Sequence, residues 1–186
     1  MAGAQPEAIA RSFYRLGWLA VVIQALLGLN AITVFSWASF GTALGSRQTL
    51  TRTDLLVAVG LAILVFTTFW SYRYTRLAER IADPARRPPR TSIVNTLWVG
   101  LFASGLGIAI SLFLLIIEVA RLMILVLRTP QAGVPVIQTQ ADSAAWVSAI
   151  DVVRLLADVS TLAGEMVASG LTIWLLFRVT RTVDEW

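Results

Sequence analysis

Four apolar stretches dominate the chain, from about Gly17 to Phe40, Leu55 to Tyr74, Ile93 to Leu127 and Val152 to Phe177. Each can cross roughly 30 Å of hydrocarbon, which takes roughly 20 helical residues. A bilayer offers the backbone no water, so spans of this length are helices, including the third with its many β-branched residues. The pattern predicts an all-α integral membrane four-helix bundle, a single transmembrane domain over residues 1–186. Its helices are expected at about 12–40, 54–80, 92–128 and 146–181. The first stretch also has the outline of a secretory signal, because Arg11 and Arg15 precede an apolar run ending in small residues. Signal cores run only about 7–15 residues. This run is longer and carries Gln24, Asn30 and Trp37, so it is read as a retained helix.

The third stretch is too long for the membrane, at about 35 residues or about 52 Å of helix. Entering at Ile93, it leaves the hydrocarbon near Leu115, which places Glu118 and Arg121 in an extension beyond it. The fourth helix returns with Asp151, Arg154 and Asp158, so helices three and four are expected to protrude as a charged antiparallel pair. Glu118 could pair with Arg154, and Arg121 with Asp151 or Asp158. A structural ion-pair network is the plainer reading of these charges.

Glu165 differs from them. It precedes Arg178 by thirteen positions (178 − 165), about 20 Å of helix, which puts it near mid-bilayer. An acid there is costly and normally faces a bundle interior or a watery cavity. Asp151, Arg154, Asp158, Thr161, Glu165, Ser169 and Thr172 follow three- and four-residue steps and so share one helix face. Two readings stay open: a polar path for a proton or ion through Glu165, Asp158, Thr161 and Ser169, or a buried protonated acid bonded to Gln24, Asn30 or Ser104. Small residues at Ala103, Gly107 and Ser111, and at Gly164 and Ala168, recur every four positions. Such spacing lets helix backbones approach closely in lipid, within one chain or between copies.

Charge adds an orientation. Arg11 and Arg15 precede the first helix, and Arg178 and Arg181 close the fourth. Arg73, Arg76, Arg80, Arg86, Arg87 and Arg90 form an inner basic loop between helices two and three. The opposite side offers only Arg47, Arg52 and Arg128. The positive-inside bias therefore predicts both termini on the cytoplasmic side of a bacterial inner membrane or its equivalent. Pro84, Pro88 and Pro89 make that loop stiff and extended. Trp18, Trp70, Trp98 and Trp174 fall near the inner ends of the helices, with Trp37 and Trp146 near the outer side, as interfacial anchors do.

Composition narrows the chemistry. Hydrophobic residues make up 57%, charged residues 14%, and mean hydropathy is +0.75. All 15 cationic residues are Arg, and Lys, His and Cys are absent. No imidazole or thiolate can bind haem or metal, no disulfide can form, and no obvious group exists to activate a nucleophile. No cofactor, metal site or enzymatic activity is expected. The pI near 10.6 arises from Arg beside apolar runs, which fits lipid headgroups rather than nucleic acid.

Two segments carry a resemblance. Ser12-Phe13-Tyr14-Arg15-Leu16-Gly17-Trp18 precedes the first span. Phe69-Trp70-Ser71-Tyr72-Arg73-Tyr74-Thr75-Arg76-Leu77-Ala78-Glu79-Arg80 leads into Asp83-Pro84-Ala85 and Pro88-Pro89-Arg90. Together they resemble the small four-helix proteins of the chloroplast inner envelope, described both as import-translocon components and as iron permeases, and their bacterial relatives. The similarity runs more weakly through helix three to Ile150-Asp151-Val152. It implies a four-helix membrane protein with a transport or translocation role. After Asp151 this chain has Arg154, Asp158 and Glu165 where the family is richer in amides, so no substrate site carries over, and an iron path would have only carboxylate ligands. Two functions are expected from these features: a permease or channel-like component acting as a homo-oligomer in the lipid bilayer, or an accessory subunit of a larger membrane complex.

Overall fold

The computed structural model describes residues 4–43, 52–128 and 149–181. They form helix α1 (Ala4–Ala43), α2 (Arg52–Ala82), α3 (Arg90–Arg128) and α4 (Ala149–Arg181), of 40, 31, 39 and 33 residues. All four are long and apolar enough to cross a membrane. Between α2 and α3 the chain turns tightly. Asp83 accepts from the backbone N–H of Ala85 through its side chain and from that of Arg86 through its carbonyl. Pro88 and Pro89 then hold the chain extended until Arg90 starts α3.

Neighbouring helices run antiparallel. Gly17 lies against Thr75 and Gly28 against Leu64 across α1 and α2, and Arg90 donates to the Thr180 carbonyl while Arg121 reaches Asp151 across α3 and α4. Contacts link α1 to α2, α2 to α3, α3 to α4 and α4 back to α1, so the bundle closes in chain order. The diagonal pair α2 and α4 runs parallel, with Thr67 beside Glu165 and Tyr74 beside Thr172 at a constant offset of 98 positions.

The interior follows a seven-residue repeat. On α3 the buried positions are Ile93, Leu97, Gly100, Ser104, Gly107, Ser111, Leu114 and Glu118; on α2 the seam runs through Gly60, Leu64, Thr67, Ser71, Tyr74, Ala78 and Ile81, with Thr75 buried beside it. Alternating steps of three and four keep one seam facing the neighbours, as in left-handed coiled-coil packing. Side-chain chemistry is inverted relative to a soluble bundle. Gln24 and Glu165 are fully buried, whereas Phe102 is 78% exposed and Leu26 66%. Lipid solvates Leu and Phe as well as a core does, so small and polar residues take the seam and large apolar ones face outward.

Two apolar layers bracket the polar middle. At the end carrying the 83–89 loop, Phe13, Tyr74, Ile81, Ile93, Leu97, Leu175 and Val179 form a closed cluster with Ile9 and Ala10. Toward the other end lies a smaller layer of Ala31, Val34 and Ala157. The first layer explains why α1 begins at Ala4 rather than near residue 12. Ile9, Ala10 and Phe13 sit at helical spacing between charged residues and continue the seam, so the helix extends to bury them. Extra length is therefore not confined to helices three and four: α1 matches α3, and its surplus packs at the loop end.

Candidate functional site

At mid-bundle a hydrogen-bonded chain joins three helices. Ser71 Oγ donates to Gln24 Oε1 at 2.9 Å, Gln24 Nε2 donates to Thr67 Oγ1 at 3.0 Å, and Thr67 Oγ1 stands 2.9 Å from Glu165 Oε1. The Thr67 proton has a second acceptor, the Leu64 carbonyl at 3.1 Å. Glu165 Oε2 is buried and has no hydrogen-bond partner. Glu165 stands sixteen residues from each end of α4 (165 − 149 and 181 − 165), about 24 Å either way. No described Arg forms an ion pair with it.

The fourth wall of this site is backbone. A Cβ at Gly107 would stand 2.7 Å from Glu165 Cδ and 2.9 Å from its Oε1. Only glycine lets α3 approach the carboxyl this closely. Beside it Ser104 is buried and donates to its own helix at the Leu101 carbonyl.

Toward the end away from the 83–89 loop, polar groups continue. Ser111 and Thr161 are buried, Asn30 Nδ2 donates to Ser160 Oγ at 3.0 Å, and Asp158 is half-buried. Asp158 lies within electrostatic reach of Glu118 and Arg154. Beyond it Arg121 binds Asp151 at 2.7 Å and stands 3.8 Å from Glu118, a distance for ionic attraction but not a hydrogen bond. Toward the loop end the polar groups run from Ser71 to Thr75, Tyr74 and Thr172, then stop at the closed layer of Phe13, Ile93, Leu97 and Leu175. On the other side, polar side chains continue past the smaller apolar layer of Ala31, Val34 and Ala157 as far as Asp151 and Arg121. Among the described residues no group of three His, Cys, Asp or Glu side chains comes together to hold a metal ion.

Residues 4–180 match the sequence profile of the family described as "Protein of unknown function (DUF3611)". The chain belongs to this family. It is also similar to "Protein TIC 21, chloroplastic" of Arabidopsis thaliana, with 29% identity over 178 residues. That alignment covers 94% of this chain and 58% of the relative, so the chain spans little more than half the relative's length. No solved structure matches. The resemblance read from the loop and the first helix therefore leads to the same group of membrane proteins.

Of the residues singled out in this DUF3611 chain, Glu165 and Thr161 are buried, while Ser169 and Asp158 are only half-buried. Gln24 meets Glu165 through Thr67 rather than directly; Asn30 bonds Ser160 instead, and Ser104 bonds its own helix. Glu118 pairs with Arg121 and not with Arg154, which joins no salt bridge among the described residues. One turn of α3 separates Glu118 from Arg121, so the pair forms within that helix. Gly107, Ser111, Gly164 and Ala168 pack inside the bundle, but Ala103 turns out of the seam and lines a groove between α2 and α3. Arg73, Arg76, Arg80 and Arg86 are exposed, while Arg87 and Arg90 are half-buried; Arg87 donates to the Ile81 carbonyl. Residues Arg47 and Trp146, and the side chains of Trp37, Arg52 and Arg128, lie outside the described residues. Thr67 and Ser71 are the site residues that the hydropathy pattern hides. Their signal is the four-residue step Thr67-Ser71-Thr75, a hydroxyl stripe within an otherwise Leu- and Phe-rich span.

Proposed function

We propose that this protein is a membrane transport or translocation component, working as an oligomer, in which Glu165 is the group that a proton or small cation reaches at mid-membrane. The observation that carries this reading is the buried Glu165 carboxyl, held by Thr67 on one oxygen and without a partner on the other. A carboxylate is among the costliest side chains to keep at that depth, and its usual use there is ion or proton handling. Asp158, Thr161 and Ser111 lead toward it from the end away from the loop. The apolar layer at the loop end closes the other side in this conformation, which suits alternating access or a route completed between copies. The family resemblance supports a transport or translocation role. By the Arg bias, both termini and the 83–89 loop face the cytoplasm of a bacterial inner membrane or its equivalent.

Flux of protons and of divalent metal ions into proteoliposomes tests the reading, with Glu165→Gln and Asp158→Asn beside the wild type. Both substitutions are expected to depress flux; wild-type flux in both variants would remove Glu165 from the path. The closed layer favours one second reading, a non-transporting accessory subunit of a larger membrane complex. Native mass analysis after gentle extraction separates the two, since an accessory subunit comigrates with other proteins and a permease runs as assemblies of itself.

A further inference from the structure

Between α2 and α3, on the outward face of the bundle, lies a groove of about 680 Å³. Its size falls in the range of small-ligand sites. The helices meet closely at both its ends. Toward the loop, Gly100 lets α3 rest on Trp70 and Tyr74; at the far end a Cβ at Gly60 would stand 3.7 Å from Ile110 and 3.9 Å from Leu114. In between, Ala62 and Ala103 supply only methyl groups, while Ile63, Phe66, Trp98 and Phe102 stand around them. From Trp98 to Leu106 the groove follows about 12 Å of α3, most of the roughly 15 Å depth of one leaflet.

An aromatic ladder connects this groove to a positive charge. Phe66 stacks on Trp70 with ring centroids 5.4 Å apart, and the Arg73 guanidinium lies 4.3 Å from the Trp70 ring centroid. Trp70 is itself pinned, its Nε1 donating to the Thr96 carbonyl of α3 at 2.9 Å. Arg73 is exposed and forms no salt bridge among the described residues. It is therefore held at the loop-end mouth of an apolar slot, with its hydrogen-bonding edge free to meet an anion.

We propose that this slot binds one anionic phospholipid, an acyl chain lying along Ala62, Phe66, Phe102 and Ala103 and the phosphate meeting Arg73. Charge selects this occupant over a second copy of the chain. Copies inserted in one orientation would bring Arg73, Arg76 and Arg80 of each together at the same level, whereas an anionic headgroup neutralises them. Arg offers a phosphate two parallel N–H donors, and its stacking on Trp70 fixes the plane from which they point.

The test is lipid retention by the full-length protein, purified with equal amounts of phosphatidylglycerol and phosphatidylcholine of matched chains and weighed by native mass spectrometry. The wild type is expected to retain phosphatidylglycerol preferentially. Arg73→Gln should lower that preference by about fivefold, the weight of one interfacial Arg against an anionic lipid. Arg73→Lys should keep only part of it, since the charge remains but the stacked two-donor fork is lost, and Arg86→Gln in the exposed loop should leave it unchanged. Filling the slot from either wall, by Ala103→Phe or separately by Ala62→Phe, should reduce retention of both lipids. The proposal is overturned if Arg73→Gln keeps the wild-type preference, or if Arg86→Gln lowers it equally, which would make it a property of the basic surface at large. It is also overturned if both Phe variants hold lipid as the wild type does. If they do so while losing a wild-type dimer, the slot is a contact between copies.

Discussion

Thr67 Oγ1 accepts from Gln24 Nε2 and offers one proton that both Glu165 Oε1 and the Leu64 carbonyl can take. The hydroxyl therefore links an amide on α1 to an acid on α4. Glu165 was legible in the sequence because a carboxylate inside an apolar span is rare and costly. Its partner was not, since pairing Thr67 with Glu165 requires the register between helices 98 positions apart. Gly107 was legible as a small residue but not as the floor of the site. Replacing it with Ala would press a methyl group against a carboxyl that is already walled in and bonded to Thr67. Gly107→Ala should destabilise the protein by about 1–3 kcal/mol, the usual cost of overpacking. Gly105→Ala, two residues away with nothing within 4 Å, should be neutral or raise stability by up to about 1 kcal/mol, since Ala is the better helix former. Thermal unfolding in one detergent compares the two. Equal effects would mean that Glu165 does not lie against α3.

Helices α2 and α3 each carry a seven-residue seam that hydropathy alone does not reveal. Averaging over a window finds the spans, because apolar residues fill every face, but it cannot say which face turns inward. Inside a membrane the inward face is marked by the small and polar residues instead. Reading Ala103 with Gly107 and Ser111 as one stripe picked a four-residue step; the seam alternates threes and fours and passes through Gly100 and Ser104. The start of α1 is hidden from hydropathy for a related reason. Ile9, Ala10 and Phe13 are diluted by Glu7, Arg11 and Arg15, so the window average falls although the helical stripe continues. Phe13 is fully buried and Tyr14, the next residue, is 49% exposed. Phe13→Ala should therefore cost about 3–5 kcal/mol, in the range for deleting a buried ring. Tyr14→Ala should stay within about 0.5 kcal/mol. Similar losses at both positions, by the same thermal assay, would show that the first turns of α1 do not pack on the loop-end layer.

The molecule as a whole is a closed antiparallel bundle whose polar interior lies between two apolar layers, the larger of them at the loop end. The count and order of helices were fixed by length and apolar content, which the bilayer makes unusually informative. The larger layer was not visible, because it is assembled from all four helices, with Phe13, Ile81, Ile93 and Leu175 far apart in the chain. The absence of Cys allows sidedness to be tested with single introduced thiols. In inner-membrane vesicles of known polarity, Ala85→Cys should react with an impermeant maleimide only from the cytoplasmic face, and Leu127→Cys only from the opposite face. The reverse pattern would invert the orientation. The central claim is that Glu165 is the group a transported proton or cation reaches, and one ratio tests it most directly: flux through Glu165→Gln relative to wild type, at matched reconstitution and matched helicity. A drop of at least about tenfold, equivalent to about 1.4 kcal/mol on the limiting step, is the expected result. Equal flux, or no wild-type flux above empty vesicles for protons or divalent metal ions, would contradict it.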